Sequence, residues 1–239
     1  MLGDEPGGAS TTRGDRAAIM KGLYAIVDTK LLAARGMDPI AYGRALLEVR
    51  PAALQVRAKD VSAREILAVL RALGPMCRQL GVPLVANDRA DLAALAGCDA
   101  VHIGQEDLPY ELVHRIAPQL RVGISTHNLE QLERALAFTP SYVAYGPIFD
   151  TATKSNPDPV VGLEGLRQAS RITRAAGVPL VAIGGITLSR VHELAPYADA
   201  CAVIGDLFLP GASLADVVAR AKAFQAALGA DAGAAEARP

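Results

Sequence analysis

Residues 81–104 read GVPLVANDRADLAALAGCDAVHIG and hold two short apolar segments, PLVAN at 83–87 and AVHIG at 100–104. Near-continuous apolar runs of this length are typical of strands covered on both faces, as in parallel sheets. Parallel neighbours need a crossover connection, and the interval leaves room only for a short helix at 89–96. This stretch therefore predicts a compact strand–helix–strand unit.

The same alternation continues in both directions along the chain. Helix-period stretches fill the intervals, and the one at 62–80 begins with Ser62 and Glu65 in capping-box spacing. Others lie at 128–138 and 213–228. The six further strand-like segments are LYAIVD (23–28), ALQVRA (53–58), RVGIST (121–126), YVAYG (142–146), PLVAIG (179–184) and ACAVIG (200–205).

Strand-like segments that alternate with helices predict an α/β fold with a parallel sheet, either closed or open and doubly wound. An open dinucleotide-binding sheet would have a glycine-rich turn after its first strand, whereas this strand runs into Val27-Asp28-Thr29-Lys30 without GxGxxG. We therefore predict a single-domain TIM (β/α)8 barrel, the catalytic domain, over residues 21–228. Flexible tails are expected at 1–20 and 229–239, which lack an apolar stripe.

Composition narrows the classes of partner. The formal net charge is -1 and aromatic residues make up 4% of the chain, which disfavours nucleic acid and membrane surfaces as partners. The three cysteines, Cys77, Cys98 and Cys201, have no CxxC spacing, and the first twenty residues have no signal-peptide core. We expect a cytoplasmic protein that acts on small molecules, with its oligomeric state open and a homo-oligomer among the candidates.

The second strand carries an unusual row of polar side chains. Gln55, Arg57 and Lys59 alternate with small apolar residues, so a strand places all three on one face. Buried cations need anions, and a diphosphate bound at the mouth of the barrel would supply them. The alternative is a buried salt bridge to a strand-end acid such as Asp28 or Asp88.

Two acids follow the next pair of strands. Asp88 comes just after the third strand and Asp107 just after the fourth, and adjacent strands lie about 5 Å apart. Mg²⁺ commonly takes one or two carboxylates together with phosphate oxygens and water, so the pair predicts a magnesium site. Alternatively, Asp88 caps the short helix and Asp107 is a first-turn acid before Pro109.

The remaining strand ends offer weaker signals. The fifth ends in Ser125 and His127, which are read as helix caps or as site residues, whereas His102 within a strand is interpreted as a core histidine. Thr151, Thr153 and Lys154 lie in a long loop after the sixth strand, where they either form a phosphate cradle or belong to a surface loop. Glycines after the seventh and eighth strands, Gly184-Gly185 and Ile204-Gly205, either let backbone amides approach a phosphate or only form tight turns.

Taken in order, these residues resemble the thiamine-phosphate synthase family between residue 23 and about residue 208. The matching motifs are Gln55-x-Arg57-x-Lys59, Asn87-Asp88-Arg89, His102-x-Gly104-Gln105-x-Asp107, Gly123-x-Ser125-x-His127, Gly146-Pro147-Ile148-Phe149 with Thr151-x-Thr153-Lys154, and Ala182-Ile183-Gly184-Gly185-Ile186.

The resemblance implies a TIM barrel transferase that joins an aminopyrimidine diphosphate to a thiazole phosphate and releases pyrophosphate. It implies that Gln55, Arg57, Lys59 and Asn87 bind the diphosphate substrate, that Ser125 contacts the pyrimidine or its diphosphate, and that Asp88 and Asp107 hold Mg²⁺. It further implies that the thiazole phosphate is bound by Thr151, Thr153, Lys154, Gly185, Ile204 and Gly205. Arg57, Lys59 and Ser125 would be the catalytic groups.

Two positions depart from the family pattern. Ala58 stands where the family usually has an acid, and Gly205 stands in a motif that is usually Val-Ser. Two other functions therefore remain as alternatives. One is a thiazole tautomerase of the same superfamily, against which the intact pair of Asp88 and Asp107 counts, and the other is a non-catalytic barrel that binds phosphorylated ligands.

Overall fold

A computed structural model describes residues 20–59, 61–151 and 158–235. It contains a closed barrel of parallel strands in chain order, β1 to β8, and β8 pairs back with β1. The single-domain TIM barrel predicted from the sequence is confirmed. The strands are β1 Gly22–Asp28, β2 Ala53–Arg57, β3 Leu84–Asn87, β4 Ala100–Ile103, β5 Arg121–Thr126, β6 Tyr142–Tyr145, β7 Leu180–Ile183 and β8 Ala200–Val203.

Helices connect the strands and cover the outside of the barrel. In the described residues, the connection between β7 and β8 holds a 3-10 turn, Val191–Glu193, where a helix was expected. The helices are α1 Thr29–Ala34, α2 Pro39–Leu47, α3 Ala63–Leu80, α4 Ala90–Ala96, α5 Tyr110–Ile116, α6 Leu129–Leu136, α7 Gly162–Ala176 and α8 Leu214–Ala235.

Local signals explain where α3 begins and ends. The Ser62 side chain accepts a hydrogen bond from the Glu65 amide, and the Glu65 carboxylate accepts one from the Ser62 amide, as the capping-box spacing predicts. Gly81 ends the helix with a φ of 68°, a left-handed conformation that glycine adopts without steric cost. The chain then enters β3 directly, so this cap sets the position of the third strand.

Two layers of apolar side chains stabilise the barrel. The larger lies between the strands and the surrounding helices, and the smaller fills the barrel interior. Met20, next to the predicted boundary at 21, belongs to the interior layer and is buried. The interior is a packed core, and ligands of such barrels bind at the mouth.

The C-terminal helix is longer than the sequence pattern indicates. We expected α8 to end near residue 228 and a loose tail to follow, but the helix continues to Ala235. Alanine has the highest helix propensity, so this Ala-rich stretch can continue a helix without an apolar stripe. No helix in the described part of the chain is both long enough and apolar enough to cross a membrane.

Candidate active site

A cavity of about 750 Å³ opens where the carboxyl ends of the strands meet. In TIM barrels this is the face that carries the chemistry. Thr153 and Lys154 lie outside the described residues. The other predicted site residues all line the cavity: Gln55, Arg57, Lys59, Asn87, Asp88, Asp107, Ser125, Thr151, Gly185, Ile204 and Gly205.

The two cations of β2 are each paired with an acid at a strand end. Arg57 Nη1 lies 2.5 Å from Asp28 Oδ2, and Lys59 Nζ lies 3.2 Å from Asp88 Oδ2. These are the ion pairs that the alternative interpretation of the second strand proposed. However, the Lys59 side chain is 48% exposed, and both cations line the cavity. The pairs therefore orient the cations without sealing them off from a ligand.

Asp28 has a second task that explains its burial. Its Oδ1 accepts a hydrogen bond from the Leu31 amide at 2.9 Å and so caps α1, while its other oxygen binds Arg57. Both carboxylate oxygens are used, so Asp28 holds the guanidinium in a fixed position relative to the end of β1.

Asp88 and Asp107 come together across the ends of β3 and β4, as predicted. Burial raises the pKa of Asp88, the neighbouring Asp107 carboxyl raises it further, and Lys59 opposes both effects. Asp107 also accepts a hydrogen bond from the Gly104 amide at 2.7 Å, which fixes its carboxylate. Two carboxylates in such close contact repel each other unless one of them takes up a proton or a cation lies between them.

Asp88 adopts a backbone conformation that residues other than glycine seldom adopt. Its φ is 63°, in the left-handed region that aspartate tolerates better than most residues. Its amide donates to the His102 carbonyl at 2.8 Å, which ties this strained position to β4. The predicted role of Asp88 as the cap of α4 is not observed, because the residue preceding that helix is Arg89 and no side chain caps it.

Hydrogen bonds inside the barrel connect Gln55 on β2 with Asn87 on β3, which are both predicted to bind substrate. Gln55 Nε2 donates to Asn87 Oδ1 at 2.7 Å, and the Tyr24 hydroxyl donates to Gln55 Oε1 at 2.7 Å. The Tyr24 hydroxyl also lies 2.8 Å from the hydroxyl of Tyr142. Gln55 and Asn87 are thus held from below by two buried tyrosines that the sequence analysis did not single out.

Ser125 is held from both sides. Its Oγ lies 2.8 Å from His102 Nε2, and its carbonyl accepts a hydrogen bond from Gln105 Nε2 at 2.6 Å. The other nitrogen of His102, Nδ1, lies 3.0 Å from the Tyr142 hydroxyl. His102 is a buried histidine with both ring nitrogens bonded, as expected of a core residue, but it also positions a predicted catalytic group.

His127 turns its ring towards the adjacent strand. Its Nδ1 lies 2.7 Å from the Gly146 carbonyl and 3.5 Å from Asp158 Oδ2, while its amide donates to Gln131. The cap of α6 is Asn128, whose side chain accepts from the Gln131 amide. His127 therefore joins the ends of β5 and β6 and leaves the capping to its neighbour.

The opposite side of the cavity is built from backbone. Gly184 and Gly185 follow β7 with φ values of 100° and 64°, which side-chain-bearing residues rarely adopt. A Cβ added to Gly185 would collide with the Asp150 carbonyl, so glycine is required for the close approach of the two loops. Ile204 and Gly205 lie at the end of β8 beside them.

Sequence reasoning missed Tyr24 and Tyr142 and treated Asp28 only as an alternative partner for the cations. A usable signal existed, because Tyr24 and Asp28 share the two-residue period of a strand with inward-facing positions. The tyrosines were passed over because an aromatic residue in a strand usually belongs to an apolar core.

The sequence of the chain also matches a known protein family. A family model described as thiamine monophosphate synthase matches residues 23–207. The chain belongs to this family. It is 41% identical over 227 residues to the thiamine-phosphate synthase of Anaeromyxobacter dehalogenans, an alignment that covers 93% of this chain and 97% of that relative.

Further members of the thiamine monophosphate synthase family agree. The thiamine-phosphate synthase of Koribacter versatilis is 44% identical over 198 residues, which cover 78% of this chain and 89% of that relative. The solved structure of thiamine phosphate pyrophosphorylase from Pyrococcus furiosus has a TM-score of 0.78 at 30% identity and covers 90% and 98% of the two chains. As a family member, the chain is a transferase of thiamine biosynthesis that releases pyrophosphate.

Proposed function

We propose that the two sides of the barrel mouth bind the two substrates of thiamine-phosphate synthesis. The side formed by β2, β3 and β4 would bind 4-amino-2-methyl-5-(diphosphooxymethyl)pyrimidine, and the side formed by β7 and β8 would bind the thiazole phosphate. The observation that carries the proposal is the contrast across one cavity, which has paired cations and acids on one wall and glycine backbone on the other.

The diphosphate would be bound by Arg57 and Lys59. Arg57 is already oriented by Asp28, and a guanidinium can contact two phosphate oxygens at once. Lys59 is the more exposed cation, and its ammonium group can turn from Asp88 towards the leaving oxygen. Both residues stabilise negative charge that develops on pyrophosphate as the bond to carbon breaks.

Asp88 and Asp107 would hold Mg²⁺. The donor set fits the ion, since two hard carboxylate oxygen groups lie in contact and their mutual repulsion favours a bound cation. In the described residues, no group of three or more His, Cys, Asp or Glu side chains is arranged to hold a metal, so diphosphate oxygens and water would complete the shell. Bound there, Mg²⁺ supplies positive charge against the diphosphate.

The reaction breaks the C–O bond between the pyrimidine methylene and the diphosphate, and the electron pair leaves with pyrophosphate. The electron-rich aminopyrimidine stabilises the resulting methylene cation. The thiazole nitrogen then donates its lone pair to that carbon, which forms the new C–N bond. Gln55, Asn87 and Ser125 would hold the pyrimidine in place, so catalysis rests on positioning and electrostatic stabilisation.

The thiazole phosphate would lie against backbone amides at Gly185, Ile204 and Gly205, with Thr151 beside them. Because these contacts use the backbone, they survive the replacement of a usual serine by Gly205. Thr153 and Lys154 are proposed to complete this phosphate site from the loop after β6.

We also propose that the enzyme acts in the cytoplasm. All three cysteines are buried free thiols, and a reducing compartment keeps thiols in that form.

The direct test is pyrophosphate release by the purified protein. We expect release only when both phosphorylated substrates and Mg²⁺ are present, with thiamine phosphate formed in equal amount. Omission of either substrate, or chelation of the metal, should stop it. If the folded protein binds both substrates without releasing pyrophosphate, it is a binding module, and Ala58 and Gly205 become the first positions to revert.

A further inference from the structure

A continuous chain of hydrogen bonds crosses the barrel interior, and its residues line the cavity. It begins on β3 at the side of the cavity formed by β2, β3 and β4, where we propose that the diphosphate binds and which we call the diphosphate wall, and it ends at Ser125 on β5, with every step between 2.7 and 3.0 Å. We call it the interior chain, and its members in order are Asn87, Gln55, Tyr24, Tyr142, His102 and Ser125.

The hydroxyl groups of Tyr24 and Tyr142 determine which atoms donate and which accept in the first half of the interior chain. Burial raises the pKa of Tyr24 and of Tyr142 well above the ordinary value, so each phenol keeps its one proton. The Tyr24 hydroxyl donates its proton to Gln55 Oε1 in a hydrogen bond. The bond between the two hydroxyls therefore uses the proton of Tyr142.

The imidazole of His102 then determines which atoms donate and which accept in the rest of the interior chain, up to Ser125. Because the Tyr142 proton is used, His102 Nδ1 must be the donor in their bond. A neutral imidazole has one N–H, so when Nδ1 is the donor the other ring nitrogen carries no proton. His102 Nε2 is then an acceptor, and the Ser125 hydroxyl donates to it. Ser125 consequently offers oxygen lone pairs to the cavity.

Every hydrogen bond of the interior chain would reverse its direction if the side-chain amides of Gln55 and Asn87 were rotated. Asn87 would then donate to Gln55 and turn its oxygen towards the cavity, and Ser125 would present a proton there. An anion beside Asn87 disfavours that arrangement, because a carbonyl oxygen repels phosphate oxygens whereas an amide nitrogen donates to them. Resting on the proposed function, this means that a diphosphate bound near Asn87 selects the direction in which Ser125 is an acceptor.

We propose that the interior chain couples the diphosphate wall to Ser125 and makes Ser125 a hydrogen-bond acceptor for the substrate, with Tyr24, Tyr142 and His102 as positioning residues. The exocyclic amine is the group on the aminopyrimidine diphosphate that carries N–H donors. It is therefore the partner of Ser125, and the diphosphate, which offers only acceptors, is not. The chain thus selects for a 4-amino substituent on the pyrimidine.

The backbone makes room for this arrangement. A Cβ on Gly123 would overlap the ring of Tyr142, so the glycine of the Gly123-x-Ser125 motif allows the tyrosine on β6 to reach His102 on β4 across β5. One motif therefore supplies both the end of the interior chain and the space for its middle.

The direction of the chain can be read from the ring nitrogens of His102. The enzyme, ¹⁵N-labelled at histidine, is measured by NMR with inorganic pyrophosphate and Mg²⁺, and the His102 signals are assigned by their loss in His102→Gln. We expect a protonated Nδ1 and a bare Nε2. A protonated Nε2, whether in the other neutral tautomer or in the imidazolium, would overturn the proposal.

Kinetics test the positioning role with a matched pair of variants. Tyr142→Phe removes one hydroxyl from the interior chain, and Tyr145→Phe removes one from an equally buried tyrosine of β6 that belongs to the outer core. We expect about tenfold lower kcat/KM for Tyr142→Phe and less than about twofold for Tyr145→Phe, given the usual cost of an unsatisfied buried polar group. Equal effects in the two folded variants would overturn the role.

Ser125→Ala separates its two candidate partners. We expect a higher KM for the aminopyrimidine diphosphate and an unchanged Kd for inorganic pyrophosphate with Mg²⁺. A weakened pyrophosphate Kd would place Ser125 on the diphosphate and overturn the assignment. These outcomes differ from a failure of the proposed function, in which the unaltered enzyme itself would form no thiamine phosphate.

Discussion

The two walls of the barrel mouth offer opposite kinds of group to the anions that we propose bind there. The wall of β2 to β4 presents charged side chains, and each cation is held by an acid, Arg57 by Asp28 and Lys59 by Asp88. The wall of β7 and β8 presents backbone, shaped by Gly184 and Gly185 at positive φ. A leaving group that gains charge calls for mobile or strong charges, whereas a phosphate that only anchors a substrate can be bound by neutral amides.

This contrast makes a nearly balanced charge composition compatible with the two phosphorylated substrates that we propose. Cations on the first wall are offset by Asp28, Asp88 and Asp107, and the second wall needs few charged side chains. Substitutions on the two walls should accordingly affect different substrates and different kinetic constants.

The largest effect is expected from Lys59→Ala. If Lys59 stabilises the leaving pyrophosphate as proposed, its loss should lower kcat by about 100-fold. Lys222→Ala, an exposed lysine on α8, provides the control and should leave kcat unchanged. Steady-state kinetics with both substrates give the comparison, and undiminished turnover in Lys59→Ala would remove this residue from the catalytic groups.

A smaller and differently directed effect is expected from Gly185→Ala. The added methyl group meets the Asp150 carbonyl, so the loop must move and the KM for the thiazole phosphate should rise about tenfold, since one or two lost phosphate contacts are worth about 1–2 kcal/mol. The KM for the pyrimidine substrate should stay the same.

Gly177→Ala is the matched control for that variant. Gly177 has a φ of 65°, close to the 64° of Gly185, but no atom lies within 4 Å of an added Cβ. Its free energy of unfolding should fall by about 1–2 kcal/mol, the cost of a left-handed alanine, with both KM values unchanged. If Gly177→Ala raises the KM for thiazole phosphate as much as Gly185→Ala does, general strain explains the effect.

The smallest of the three effects is expected from Asp28→Asn. Asparagine still caps α1 but no longer pairs with Arg57 as an anion, so kcat/KM should fall by about fivefold, since a hydrogen bond to a charged group exceeds a neutral one by about 1 kcal/mol. Asp38→Asn makes the same change at the exposed cap of α2, where the side chain accepts from the Ala41 amide at 2.7 Å. Similar activity in the two variants would show that the ion pair with Asp28 does not position Arg57.

Much of the fold could be predicted because its signals are local. Every strand followed from a short apolar run, and α3 followed from the capping box at Ser62 and Glu65. The 3-10 turn at Val191–Glu193 and the extension of α8 to Ala235 were not predicted, because they depend on packing and on propensity without an apolar pattern.

In the candidate site too, features that depend on local sequence patterns could be predicted, and features that depend on long-range packing could not. The polar pattern at strand ends predicted that Lys59, Asp88 and Ser125 lie at one mouth, and they line one cavity there, because period two and the shared edge of a parallel sheet place them together. The interior chain could not be predicted, since the bond between Tyr24 and Tyr142 joins residues 118 positions apart that become neighbours only when the barrel closes. Its direction depends on donors and acceptors that a sequence does not pair.

The most direct test of the division between the walls is a crystal structure of the enzyme with Mg²⁺, pyrophosphate and thiamine phosphate. We predict pyrophosphate against Arg57 and Lys59, the metal between Asp88 and Asp107, and the phosphate of thiamine phosphate against Gly185 and Gly205. Pyrophosphate on the glycine wall, or the phosphate of thiamine phosphate on the cationic wall, would contradict the assignment of the two substrates.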